Sequence, residues 1–208
     1  MATHRGEETY ERILREAELC FARYGYDATG VAEICERAGV SKGAFYHHFP
    51  SKAAVFEALL SRWLEGLDAQ LQQIWAQADS APAAILHMAG MIPVIFRIAE
   101  GRLPIFLEFW SKAIREPEVW HATISHFQRY RAFFSDLIRA GISAGDFQHV
   151  QPELAAQMII SLAVGLILQG LLEPNKEDWE TLTQEAVRLL MASWGWKGAG
   201  QGQAGSPA

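Results

Sequence analysis

Apolar side chains recur at helical spacing along almost the whole chain, and no stretch alternates apolar with polar as a half-buried strand would. Ile13, Ala17, Cys20, Phe21 and Tyr24 share one face, which predicts a first helix over residues 8–24. Val31, Ile34, Cys35 and Ala38 predict a second, short helix that starts near Thr29 or Gly30, has Glu33 in place as a capping-box partner, and stops at Gly39. Ser41 is expected to cap a third helix, with Ala44 and Phe45 turned inward and Lys42, Gly43, Tyr46 and His47 outward. A long helix follows Pro50 and Ser51 and runs to about Gln77. Further helices are punctuated by Ser80 with Pro82, Gly101 with Pro104, Glu116 with Pro117, Gly141 to Asp146, Gln151 with Pro152, and Glu173 to Asn175, with the prolines just inside helix starts. Pro93 stands in mid-helix and predicts a kink. The stretch after Trp196, rich in Gly, Gln, Ala and Ser, predicts a disordered tail.

Two short helices joined by a tight turn, spanning Asp27 to Lys52, have the layout of a helix-turn-helix DNA reader. Between Arg37 and Lys52 the chain carries Arg37, Lys42, Lys52, His47 and His48 and no carboxylate, although its net charge is −6. Gly43 is the oddity, since glycine inside a helix costs about 1 kcal/mol relative to alanine; close approach to a groove floor would account for it. Tyr46 offers a hydroxyl to phosphate, Lys42 reaches a phosphate or a guanine edge, and Ser51 and Lys52 open the next helix with free amides and an ammonium. The alternative for this stretch is a helical hairpin in an ordinary core, with Phe45 and Phe49 as packing residues.

The run from Ile13 to Leu60 resembles the DNA-binding domain of the TetR family of bacterial transcription regulators. The resemblance is carried by Ala17, Phe21, Gly25, Tyr26, Thr29, Val31, Ile34, Ala38, Gly39, Val40, Ser41, Gly43, Phe45, Tyr46, Phe49, Ser51 and Lys52. It implies that Thr29 touches a phosphate, that Ser41, Lys42, Gly43 and Ala44 face bases or nearby backbone, and that Tyr46, His47 and Lys52 meet phosphates. Gly30 and Val40 flank these positions in the expected DNA-binding set, whereas His48 either joins it or points back to the first helix. The implied architecture is all-α: an N-terminal three-helix, homeodomain-like helix-turn-helix domain over residues 1–52, a helical ligand-binding and dimerisation domain over 53–196, and the tail over 197–208.

The first 52 residues hold 7 basic and 8 acidic side chains of totals of 18 and 24, so the remaining 11 basic and 16 acidic supply most of the excess charge. Such acidity speaks against a nonspecific coat for nucleic acid and is compatible with a small specific reader. Cys20 and Cys35 lie on apolar helix faces and read as a reduced, inert core pair in a cytoplasmic protein rather than a redox sensor. Leu154 to Leu172 is apolar nearly all round and long enough to raise a membrane span, but Gln157, Ser161 and Gln169 interrupt it and the flank that follows, with Glu173, Glu177 and Asp178, is acidic on balance. A helix buried on several sides in a soluble protein is the better reading, and the helices near 152–172 and 177–194 are expected to pair with those of a second copy as a four-helix bundle, the dimer that the resemblance also implies. The last helix is expected to carry Trp179, Leu182, Ala186, Leu189, Leu190 and Ser193 on one stripe.

Trp63, Met88, Met91, Phe106, Trp110 and Phe127 belong to a soft, aromatic-rich segment that suits an apolar effector cavity, with Glu108 and Gln169 as polar candidates within it. His121 and His126 lack a completing ligand, so no metal site is expected, and neither a cofactor loop nor a catalytic constellation is recognisable. The expected function is a dimeric, effector-released repressor of a palindromic operator on double-stranded DNA. The competing expectation is a helical carrier of hydrophobic small molecules, which would show no salt-sensitive DNA binding.

Overall fold

A computed structural model describes residues 2–92, 107, 111, 117–148, 150–173 and 178–198, and all regular structure among them is helical. In chain order the helices are α1 (Ala2–Tyr24), α2 (Val31–Ala38), α3 (Lys42–His48), α4 (Lys52–Gln77), α5 (Ala81–Ala89), α6 (Pro117–Ala144), α7 (Pro152–Leu172) and α8 (Trp179–Ala192). The chain divides into two compact units, and the division falls between Leu67 and Asp68 within α4 and between Ser125 and His126 within α6. The Pro93 kink lies outside the described residues, as do Phe106, Glu108 and Trp110 and the part of the tail beyond residue 198.

In the N-terminal unit, Ile13, Leu14, Ala17, Cys20 and Phe21 of α1 are buried with Ile34, Cys35 and Ala38 of α2, Phe45 of α3, and Val55, Phe56, Leu59 and Leu60 of α4. Tyr26 wedges between Phe21 and Phe56, with ring centroids 5.3 and 4.7 Å away, and Phe49 stacks on Tyr10 at 4.7 Å. Tyr24, expected on the inner face of α1, lies outside instead, 40% exposed, where its hydroxyl accepts from Arg37 at 2.8 Å. Position 24 is the last of the helix, so its ring escapes the core and takes a guanidinium.

The turn between α2 and α3 is built as its sequence demands. Gly39 adopts φ 62° and ψ 39°, the left-handed region that glycine enters most cheaply. Its N–H bonds Glu36 O at 3.2 Å while Val40 N–H reaches back to Cys35 O at 3.0 Å, the paired closure that ends a helix abruptly. The expected capping box at the start of α2 does not form: the N-cap is Gly30, which makes no side-chain cap, and Glu33 turns instead to Arg37 one turn on, at 3.5 Å.

In the second unit, Ser80 caps α5 through a bond from Ala83 N–H at 3.3 Å, and Pro82, Pro117 and Pro152 all sit in first helical turns. Ile92, Leu166 and Trp179 form one buried cluster, with Leu162, Ala163 and Ile167 packed on it. Gly141 is a close-approach site, because a Cβ there would lie 2.5 Å from the Phe147 ring and 2.9 Å from Ala81 Cβ. Near the start of this unit on α4 and α6, Asp68 pairs with Arg129 at 3.2 Å and accepts from buried Tyr130; burial first, then Asp68, push the Tyr130 phenol far above its ordinary value. Arg129 also bonds buried His126 through Nδ1.

Helix α8 differs from expectation in phase. Trp179, Thr183, Val187 and Met191 are the buried residues, four apart along the inner face, so Trp179 parts company with Leu182 and Leu189, which are exposed. On α7, Leu154, Met158, Leu168 and Leu172 are exposed on one stripe, and only 28% of the Pro152–Gly170 stretch is buried. Two helices of the second unit thus present apolar faces outward.

Candidate nucleic-acid interface

Helix α3 is short, and everything about its seating turns one face out. Ser41 Oγ accepts from Ala44 N–H at 3.1 Å and closes the N-terminus, while Phe45 is wholly buried and fixes the rotation about the helix axis. With Phe45 inward, Ser41, Lys42, Gly43, Tyr46 and His47 face solvent, and Val40 and Ala44 are half-buried at the margin. Tyr46 is 53% exposed, large for an aromatic residue, and its ring rests edge-on against Phe45 at 5.3 Å, which holds the hydroxyl outward.

A Cβ on Gly43 would meet nothing nearer than Ser41 Oγ at 3.8 Å. No neighbour inside the protein therefore requires glycine at this position. His48 is half-buried and stands edge-on to Tyr10 of α1 at 6.2 Å, so it points back to the first helix and leaves the outward face to His47. Gly30, at the start of α2, is exposed.

Thr29 and Lys52 stand apart from the rest of the expected set. Thr29 is 1% exposed, and its hydroxyl donates to Gly25 O at 2.7 Å, so the side chain is used inside the protein and does not reach outward to a phosphate. Lys52, half-buried at the first position of α4, donates from Nζ to Tyr26 O at 2.6 Å and to Thr29 O at 2.8 Å, with the ammonium 4.2 Å from the Tyr26 ring centre. Sequence spacing carries no sign of these bonds, which join residues 23 and 26 positions apart. Ser51 caps α4 from just outside, accepting from Ala54 N–H at 3.1 Å.

Of the ligand candidates within the described residues, Met88 is buried on α5, Met91 lies half-buried just beyond it, and Trp63 on α4 and Phe127 on α6 are half-buried. Gln169 is exposed on α7, on the same outward stripe as Met158 and Leu172, because eleven and three residues bring those positions round to one side of a helix. Cys20 and Cys35 are free and buried; burial pushes both thiols up, which disfavours the reactive thiolate.

Comparison with known proteins matches this architecture in both halves of the chain. Residues 13–59 match the pattern of bacterial regulatory proteins of the tetR family, and residues 98–194 match the C-terminal domain of BetI-type transcriptional repressors. The HTH-type transcriptional regulator YfiR of Bacillus subtilis is 27% identical over 186 residues, covering 86% of this chain and 88% of that protein. The HTH-type transcriptional repressor KstR2 of Mycolicibacterium smegmatis is 26% identical over 151 residues, 72% of this chain and 71% of its own. Among solved structures, a transcriptional regulator of Saccharomonospora viridis in complex with choline superposes with a TM-score of 0.76 at 20% identity, covering 89% of this chain and 96% of that one. An outward helix free of carboxylates, seated by Ser41 and Phe45 behind a Gly39 turn, and matched over both halves by these patterns, makes the chain a member of the TetR family of DNA-binding transcriptional regulators.

Proposed function

We propose that the protein works as a homodimer that represses transcription by holding a palindromic operator with α3 of each subunit, and releases it when a small, largely apolar effector enters the second domain. The observation that carries the DNA half is the outward face of α3, where Lys42, Tyr46 and His47 stand exposed around a Gly43 that no internal neighbour explains. Lys42 and Ser41 are assigned to base edges or the adjacent backbone, and Tyr46 and His47 to phosphates. The reader is taken as residues 1–52 and the effector and dimer domain as 53–196, within the cytoplasm. Relatives named as repressors support repression.

The dimer half rests on the apolar stripes of α7 and α8. Leu154, Met158, Leu168 and Leu172 on one helix and Leu182 and Leu189 on the other are exposed in the single chain. A second copy related by a twofold axis would cover them with their own likeness and place two reading helices on one duplex. Met88, Met91 and Phe127 are effector candidates among the described residues of the second unit. Release needs only an effector that favours a state whose reading heads no longer match the groove spacing, and a difference of about 1–3 kcal/mol is typical. The long helix α4 and α6, which carry the Asp68–Arg129 pair, are the proposed transmitters.

Selection from a random-sequence duplex library at near-physiological salt tests the reading. Enrichment of a palindrome supports it and yields the operator. No enrichment with folded, ligand-free protein would overturn it in favour of a hydrophobic-ligand carrier.

A further inference from the structure

We infer that Lys52 is a positioning residue that locks the entry to α2, and through α2 the pose of α3, rather than a contact to the DNA backbone. The inference rests on the reading of α3 as the DNA-facing helix.

A lysine in the first turn of a helix is electrostatically out of place, because the amides there already carry partial positive charge. The Lys52 ammonium resolves this by turning toward carbonyls. It donates to Tyr26 O at 2.6 Å and Thr29 O at 2.8 Å, and lies 4.2 Å from the centre of the Tyr26 ring. Two of its three donors are thereby engaged with peptide oxygens, and the cation has a π-face beside it. Neither partner is free to move: Tyr26 is buried between Phe21 and Phe56, and Thr29 is buried with its hydroxyl on Gly25 O at 2.7 Å.

What the clamp holds is the α1–α2 turn. Gly30, next in the chain, is the N-cap of α2 and makes no side-chain cap of its own. The start of α2 is therefore fixed from behind, by Lys52 and Thr29, and not by a capping side chain. Because α2 packs on α3 through the Gly39 turn, the direction in which α2 leaves Gly30 sets the direction in which α3 presents Ser41 to His47. The ammonium keeps its charge, but with two donors on these carbonyls it is held against the turn rather than extended to a phosphate.

The two roles separate in the salt dependence of operator binding. A phosphate contact contributes about 0.9 to the slope of log affinity against log salt, whereas a positioning residue weakens binding without changing that slope. Titrations of the full-length chain with its selected operator across a salt series should show Lys52→Met binding about tenfold or more weakly with the slope of the unaltered protein, as expected for a displaced set of contacts. Lys42→Met, measured alongside, should lower the slope by about one and shows that the assay resolves a single charge. Thr29→Val removes the hydroxyl bond that steadies the clamp without touching charge, and should weaken binding at unchanged slope. In the absence of DNA, Lys52→Met and Thr29→Val should both exchange the amides of Glu33 and Ile34, which bond Gly30 O, faster while those of the α1 core stay protected. A slope lower by about one in Lys52→Met, or full affinity in that variant, overturns the inference while leaving the DNA reading intact. Absence of any operator for the unaltered chain would overturn both.

Discussion

Gly43 is the residue at which the proposed approach of α3 to a groove is most directly testable. Alanine would fit there, since nothing lies closer than 3.8 Å to the added Cβ, and alanine is the better helix former. Gly43→Ala should therefore raise stability by up to about 1 kcal/mol in thermal or urea unfolding while weakening operator binding in a fluorescence titration. Stabilisation with undiminished binding would remove the groove-approach explanation. At this scale the sequence was legible wherever local backbone chemistry decides: Gly39 for the turn, Ser41 for the cap and Phe45 for the inward side behave as their types demand. Thr29 and Lys52 were illegible, because their partners are carbonyls, which every residue possesses and no pattern marks.

Among elements, the end caps and close approaches carry the testable content. Helix α8 begins at Asp178, whose side chain accepts from Thr181 N–H at 2.9 Å and from the Thr181 hydroxyl. These two bonds, the hydroxyl first, hold the Asp178 carboxyl below the ordinary carboxylate range. The lowered folded pKa means that the cap stabilises above the unfolded value of 3.8 and is lost as pH falls through the folded value. Asp178→Ala should lower the thermal midpoint at pH 7, and the gap from the unaltered protein should close in acid; an equal gap at both pH values would refute the cap. Where α6 passes over α5, Gly141→Ala drives a methyl against the fully buried Phe147 ring, and unfolding should become easier by about 1–3 kcal/mol. Urea denaturation measures that directly. Helix existence followed from periodicity, but the rotation of α8 did not: its stripes 179–183–187–191 and 182–186–189–193 both carry apolar residues, and only the packing against α5 and α7 chose the first as inner.

For the whole molecule, the outward apolar faces of α7 and α8 weigh most. Each leucine taken out of water contributes about 1.5–3 kcal/mol, and twofold symmetry counts every substitution twice. Leu154→Glu combined with Leu189→Glu should therefore give the mass of one chain in sedimentation equilibrium at micromolar concentration, with operator affinity reduced accordingly. A dimer that survives both changes would place the interface elsewhere. The length and greasiness of α7 raise a choice between lipid, core and partner; exposure of Leu154, Met158, Leu168 and Leu172 speaks against core, and the proposed cover is the same face of a second copy.

After α8 the chain doubles back onto the α6–α7 connection: Gln148 N–H bonds Trp194 O at 2.6 Å, and the Trp194 indole stands edge-on to Phe147 at 5.6 Å. Phe147 is the residue wedged against Gly141, so the indole closes the open side of that wedge like a stopper. A reporter or affinity handle fused downstream of Trp196 leaves the stopper seated. A stop codon at Trp194 itself uncorks the second unit, and a library of C-terminal truncations should show solubility failing abruptly at that residue.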